Sequence, residues 1–308
     1  MKYFGADSAY RNTLYGGNQY PSKSNGEPKT FDELCGDTTG SLRRLGVLRM
    51  DVDNLGKLFI NGFTQGNSSL SRYSSLSRNL DFFFKGYLNK IWEGDQRLNE
   101  KTSIIYAGGD DLFIVGHWNE TIRFAKLIRE EFKKWTCNNP NLSISGGVAI
   151  VSKKFPIAKG ALLAGDAEDM AKDHTYQTHS KNTFTFMDIP LHWEYELPYV
   201  EKLKDELISK IGTQKEISKG FINKIATLHF LSTEQEKKGA NQSWKWMMAY
   251  DFARAIKELK NDDVKDFLQT LKVDTFANTI DGKKNLSKHS TLSLYNLAAR
   301  WAELIIRE

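Results

Sequence analysis

Residues 103–115 read Ser-Ile-Ile-Tyr-Ala-Gly-Gly-Asp-Asp-Leu-Phe-Ile-Val, two short apolar runs around Gly108-Gly109-Asp110-Asp111. The apolar runs predict paired strands, and Gly108-Gly109 permits the positive backbone angles of a tight hairpin. Two adjacent carboxylates then sit at a hairpin tip. Neighbouring carboxylates repel unless a cation or a proton resolves the charge. Their hard oxygens favour Mg2+ or Mn2+, ions that accompany phosphate chemistry.

A second acidic pair lies upstream. Leu45 to Asp53 read Leu-Gly-Val-Leu-Arg-Met-Asp-Val-Asp, followed by Asn54-Leu55-Gly56. This run predicts a buried strand over 45–53. A side-chain period of two puts Asp51 and Asp53 on one face. Acids at the end of an apolar strand are costly without a cation or hydrogen-bond donors. If this strand lies beside the hairpin, Asp51, Asp110 and Asp111 converge where one or two divalent ions could meet a triphosphate.

Outward from these motifs the pattern alternates. Leu76, Leu80, Phe83, Tyr87, Leu88 and Ile91 recur at helical spacing, after a polar loop at 64–71. Asn119 is a candidate cap for a helix to Trp135. Leu142 to Val151 reads as a strand interrupted by Gly146-Gly147, Pro156 as the start of a helix to Lys172, and Thr183 to Met187 as a further strand. The order βαββαβ, then αβ, predicts a ferredoxin-like sheet. From about 190 the apolar residues fall into helical stripes: Leu203, Leu207 and Ile211; Phe221, Ile225, Leu228 and Leu231; Trp244, Met247, Met248, Phe252 and Ile256; and Leu292 to Ile306. The expected fold class is α+β: an irregular segment at 1–40 with a short helix at Phe31 to Leu34, a palm-like domain at 41–190, and an all-α domain at 191–308.

Composition sets bounds. The chain has 308 residues, 40% of them hydrophobic, and a net charge of +5, which permits nucleotide or nucleic-acid binding without demanding it. Cys35 and Cys137 are too few for a disulfide scaffold or a four-cysteine zinc site. No apolar stretch is long enough to span a membrane and no apolar signal core opens the chain, so a cytoplasmic location is expected. His117, His174, His179, His192, His229 and His289 are scattered, without metal-ligand spacing.

The arrangement resembles the nucleotide-cyclase and polymerase palm family (GGDEF-like), in its GGDD branch. Leu45 to Phe59 (LGVLRMDVDNLGKLF), Ser71 to Leu88 (SRYSSLSRNLDFFFKGYL) and Tyr106 to Gly116 (YAGGDDLFIVG) are similar to the large, polymerase-containing subunit of type III CRISPR effector complexes, in its Csm-type form. Tyr15-Gly16-Gly17-Asn18, Phe31-Asp32-Glu33-Leu34 and Tyr295 to Leu304 (YNLAARWAEL) are similar to segments flanking that family's second palm. The resemblance implies the C-terminal half of such a subunit: second palm plus helical domain.

It further implies an activity in antiviral defence. Two ATP molecules bind at the palm and are joined 3′ to 5′ into cyclic oligoadenylates once guide RNA pairs with target RNA. Asp51 and Asp110 match the metal-binding carboxylates, with Asp111 beside them and the Val52 carbonyl as a further ligand. Asp53 lies on the same side. Gly108 and Gly109 are expected to bind ATP, Lys172 and Lys181 its triphosphate, and Ser77 the adenine base. Implied partners are the repeat-handle-binding and small subunits, guide and target RNA, and a second palm, supplied by another chain or by homodimerisation. The family's nuclease domain carries a His-Asp dipeptide. None occurs in these residues, so no single-stranded DNA cleavage by this chain is expected. The alternatives are a GTP-using diguanylate-cyclase-like enzyme and a catalytically silent scaffold subunit of the RNA-guided complex.

Overall fold

The structure, a computed structural model, describes residues 16–36, 43–62, 69–213, 216–238 and 243–307. Tyr15 and most of the polar loop at 64–71 lie outside the described residues. The last residues of that loop already belong to a helix, capped where the Ser69 hydroxyl accepts the Arg72 N–H at 3.4 Å.

The first compact unit is built on one sheet. Helix α1 (Phe31–Leu34) precedes β1 (Arg44–Val52), which is followed by α2 (Leu55–Asn61) and α3 (Leu70–Phe82). A π-helical turn at Phe83–Tyr87 joins α3 to α4 (Leu88–Gly94), and α5 (Gln96–Lys101) leads into β2 (Thr102–Gly108). Then come β3 (Asp111–His117), α6 (Trp118–Trp135), β4 (Ile144–Ser152), α7 (Ile157–Asp173), the two-residue strands β5 (Thr175–Tyr176) and β6 (His179–Ser180), which group with the second unit, then β7 (Thr183–Phe186) and β8 (Ile189–His192). The sheet order is β2-β3-β1-β4-β7-β8. Its first four strands have the ferredoxin-like order, and β7 extends them parallel to β4.

β1 is central and antiparallel to both neighbours. Its apolar run is covered on both faces, which explains why Leu45, Val47, Leu48 and Met50 are all buried. On one face, a Cβ on Gly46 would meet Thr121 of α6 at 2.8 Å. The Phe83 and Phe132 rings, 5.2 Å apart, join the π-helical turn to α6. On the other face α7 crosses over, so close that a Cβ on Gly147 would lie 2.3 Å from the Ala167 backbone.

Several sequence expectations are corrected in detail. Gly146 and Gly147 do not interrupt β4; they lie inside it, where side chains would collide with Met50 and Ala167. α6 begins at Trp118, and its cap position is His117 rather than Asn119. α2 and α5, too short to carry a periodic stripe, were not anticipated.

The second unit takes in residues 175–180 and 191–307 of the described chain. α8 (Leu197–Ile208) ends in a π-helical turn at Ser209–Thr213 and is followed by α9 (Gly220–Lys238), α10 (Ser243–Glu258) and α11 (Asp262–Ala277). A small hairpin, β9 (Thr279–Ile280) with β10 (Lys283–Lys284), precedes α12 (Thr291–Arg307). α12 is the core helix, burying Leu294, Tyr295, Leu297, Ala298, Trp301 and Ala302. The expected stripes are buried at Leu203, Leu207, Ile211, Phe221, Ile225, Leu228, Trp244, Met248 and Phe252. Met247 departs from its stripe: it is 44% exposed, at the margin of the face of α10 that buries Met248. Among the described residues no helix is long and apolar enough to cross a membrane.

Candidate active site

The tip of the β2–β3 hairpin holds two residues, Gly109 and Asp110, between the paired Gly108 and Asp111. Only Gly109 has a positive φ, +68°. This is the turn with glycine at its first central position, whose twist suits a tight hairpin. Gly108 therefore ends β2 and Asp111 opens β3, leaving Asp110 as the one carboxylate of the two-residue tip. The tip is tied to β1: the Val52 N–H donates to the Asp110 carbonyl at 3.0 Å.

Strand register does the rest. Asp51 stands directly opposite Asp111 on β3 and opposite Ser145 on β4. Cross-strand partners share a face, so the hairpin and β1 bring Asp51, Asp110 and Asp111 together. The crowding shows in the Asp110 carboxyl. Burial pushes it up from its ordinary value, and the charges of Asp51 and Asp111 push it the same way. Beside them, Tyr106 donates to the Gly108 carbonyl at 3.2 Å, and its hydroxyl is pushed up by burial and by Asp111.

α7 delivers positive charge to this cluster. Lys172, in its last turn, donates to Asp51 and, at 2.7 Å, to Glu168. Burial alone would push the Lys172 ammonium down, but its bonds to Asp51 and Glu168 prevail and hold it well above the ordinary value. Glu168 also receives Arg49 at 3.2 Å. Lys181 lies in a left-handed turn with Asn182, at φ 63° and 51°, and its N–H donates to the His174 carbonyl at 3.1 Å. Ser77 stands on the exposed side of α3. Val52 is buried, between Asp51 and Asp53.

Asp53 is in a different condition. It lies just beyond β1, 1% exposed. Its Oδ2 accepts the Ser143 hydroxyl at 2.6 Å, the Ser145 hydroxyl at 2.9 Å and the Asn182 N–H at 3.0 Å. Burial pushes its carboxyl up, and these donors together with the charge of Lys181 pull it back. It stitches β1, β4 and the Lys181 turn together. Sequence reasoning missed Glu168 and Arg49. The i, i+4 spacing of Glu168 and Lys172 was the available signal for the first.

The donor set is one of hard oxygens whose mutual repulsion is only partly offset by an ammonium, and such a set fits a divalent cation. A cation there, with lysines nearby, suits binding and reaction of polyphosphates.

Known proteins share this plan. The family description "Cas10/Cmr2, second palm domain" matches residues 44–185. Residues 44–185 belong to that second-palm family. Among Cas10/Csm1 proteins of subtype III-A, named as CRISPR-system single-strand-specific deoxyribonucleases, that of Streptococcus thermophilus is 33% identical over 239 residues, 75% of this chain and 29% of that protein. That of Methanocaldococcus jannaschii is 34% identical over 202 residues, 60% of this chain and 25% of that protein. The chain thus spans about a quarter of the length of these curated relatives. A Csm1–Csm4 cassette in complex with cA3 matches with a TM-score of 0.64 and 25% identity, over 92% of this chain and 40% of that one. Csm1 of T. onnurineus shares the fold, with a TM-score of 0.67 and 24% identity over 95% of this chain and 42% of that one. The Cas10 second palm accounts for the sheet that holds Asp51, Asp110 and Asp111.

Proposed function

We propose that this chain supplies the nucleotide-joining palm of a type III effector large subunit, with 41–190 as palm and 191–308 as helical domain. It would convert ATP to cyclic oligoadenylates by 3′–5′ phosphodiester formation when the complex recognises target RNA. The observation that carries this reading is the convergence of Asp51, Asp110 and Asp111, with Asp110 pushed up by its neighbours. The similarity to a Csm1–Csm4 cassette that binds cA3 supports the product class and a Csm4-like, repeat-handle-binding subunit as partner. The small subunits and guide and target RNA are further partners on this reading, and a second palm would complete the site.

Asp51, Asp110, Asp111 and the Val52 carbonyl would hold Mg2+ or Mn2+. The bound ion supplies charge neutralisation at the phosphates and activation of the attacking hydroxyl. The chain's own residues do the positioning. Gly108 and Gly109 put no side chain of their own between the backbone and incoming phosphates. Lys172 and Lys181 place ammonium groups against the triphosphate. Ser77 is assigned to the adenine base. The ribose 3′-oxygen of one ATP attacks the α-phosphorus of the other, and pyrophosphate leaves; holding the two in line accounts for much of the rate.

The test is incubation of the assembled complex with target RNA and Mn2+, and with ATP or GTP separately. Cyclic oligoadenylate from ATP, lost in Asp110→Ala/Asp111→Ala, supports the reading. Cyclic di-GMP as sole product, or unchanged product from the double variant, sinks it. No nucleotide consumption under any condition makes the chain a scaffold.

A further inference from the structure

On the face of the sheet covered by α7, four charged side chains alternate in sign: Arg49, Glu168, Lys172 and Asp51. Arg49 meets Glu168 at 3.2 Å, Glu168 meets Lys172 at 2.7 Å, and Lys172 meets Asp51. Their exposure is unequal. The Glu168 side chain is 6% exposed, whereas those of Lys172 and Asp51 are 26% and 20% exposed and that of Arg49 is 40% exposed.

A carboxylate this buried is retained only with good partners, and Glu168 has two cations. Its place is prepared by backbone. Gly147 stands opposite Arg49 on β4, and a Cβ there would lie 2.5 Å from the Glu168 backbone nitrogen. Only a glycine lets α7 descend far enough for Glu168 to reach Arg49 on β1 while Lys172, one turn later, reaches Asp51.

We infer that Glu168 is a positioning residue on which Lys172 stays seated when Asp51 exchanges the lysine for a divalent cation. This rests on the metal-site reading above. With no cation, Lys172 is the counter-ion of Asp51 and competes with any metal for it. Glu168 lowers the cost of that competition, because Lys172 gives up one of its two carboxylates and keeps the other. Lys172 also remains beside the site, its charge directed toward incoming phosphate. Arg49 keeps Glu168 from standing as an unpaired anion whichever way Lys172 is bound.

The inference is tested by Mn2+ titration of the full chain without nucleotide, following free Mn2+ by electron paramagnetic resonance. Glu168→Gln removes the second anion and leaves Lys172 bound to Asp51 alone, so Mn2+ affinity falls roughly tenfold. Lys172→Met removes the competitor, and affinity rises about threefold. In the double variant Glu168→Gln has lost its means of acting, and affinity stays within about twofold of Lys172→Met. Equal weakening by Glu168→Gln in both backgrounds reduces Glu168 to a distant charge and overturns the inference, as does no weakening in either. Asp110→Ala/Asp111→Ala separates this from the site itself. Mn2+ binding that ignores that pair, or no Mn2+ binding by the wild type, overturns the metal-site reading and the inference together. Binding that depends on the pair with an uncoupled Glu168 overturns the inference only. Circular dichroism of each variant establishes that it is folded.

Discussion

Two carboxylate environments in this molecule are built to opposite plans. In the helical unit Asp274 is 1% exposed and fully engaged: it accepts the Thr279 hydroxyl at 2.5 Å, the Gly282 N–H at 3.1 Å and the Tyr295 hydroxyl at 3.4 Å. At the edge of the palm, Asp51, Asp110 and Asp111 face one another, and Lys172 brings a single ammonium to Asp51. Asp53 belongs with Asp274, although it lies two residues from Asp51. A buried acid supplied with donors holds a fold together. Acids left to repel one another destabilise it, and they mark the place where a ligand resolves the charge.

The sharpest break of this contrast is Asp110→Ala/Asp111→Ala. ATP-joining activity of the assembled complex should fall by on the order of a hundredfold or more, measured as cyclic product, with no loss of denaturant stability. Asp274→Ala should do the reverse. It strands the Thr279 hydroxyl and the Gly282 N–H, and urea unfolding should show a loss of about 2–4 kcal/mol. Asp53→Ala should cost less, about 1–2 kcal/mol in the same measurement, because burial of its own unbonded Oδ1 offsets part of what its three donors contribute.

The smallest effect is the pH dependence of Asp110→Asn in metal-free buffer. The Asp110 carboxyl is raised in the folded chain, first by burial and then by Asp51 and Asp111, so its charged form disfavours the fold. The wild type therefore holds its full share of stability below the unfolded carboxyl value, about pH 4, and loses it as pH rises through the folded value. Asp110→Asn should be slightly more stable than wild type at about pH 7 and level with it near pH 4, by a fraction of a kcal/mol because solvent screens the site. A gap that widens on acidification would reverse the assignment.

How far the chain could be read from its letters differed between these regions. The α+β class, the hairpin and the order of the palm strands were legible because each rests on local periodicity and turn chemistry. Within that frame, only Gly109 takes the positive φ that the Gly108-Gly109 pair permits, since Gly108 is paired in β2 and the two-residue tip has one place before Asp110. Glycines 146 and 147 read as a break in a strand, but they serve close packing across it, which no window of sequence contains. Met247 read as core and is exposed, because the partner of a helix face is a tertiary fact.

By itself the sequence determined which residues could carry chemistry here: paired acids after apolar strands, glycines at a tip, and lysines downstream. These follow from spacing along one chain. Only the tertiary structure decided how the acids differ. Register put Asp51 against Asp111, α7 brought Lys172 and Glu168 from more than a hundred residues away, and Ser143 and Ser145 took up Asp53. The physical reason is that the state of a carboxylate is set by charges and donors within a few ångströms in space, whatever their distance in sequence.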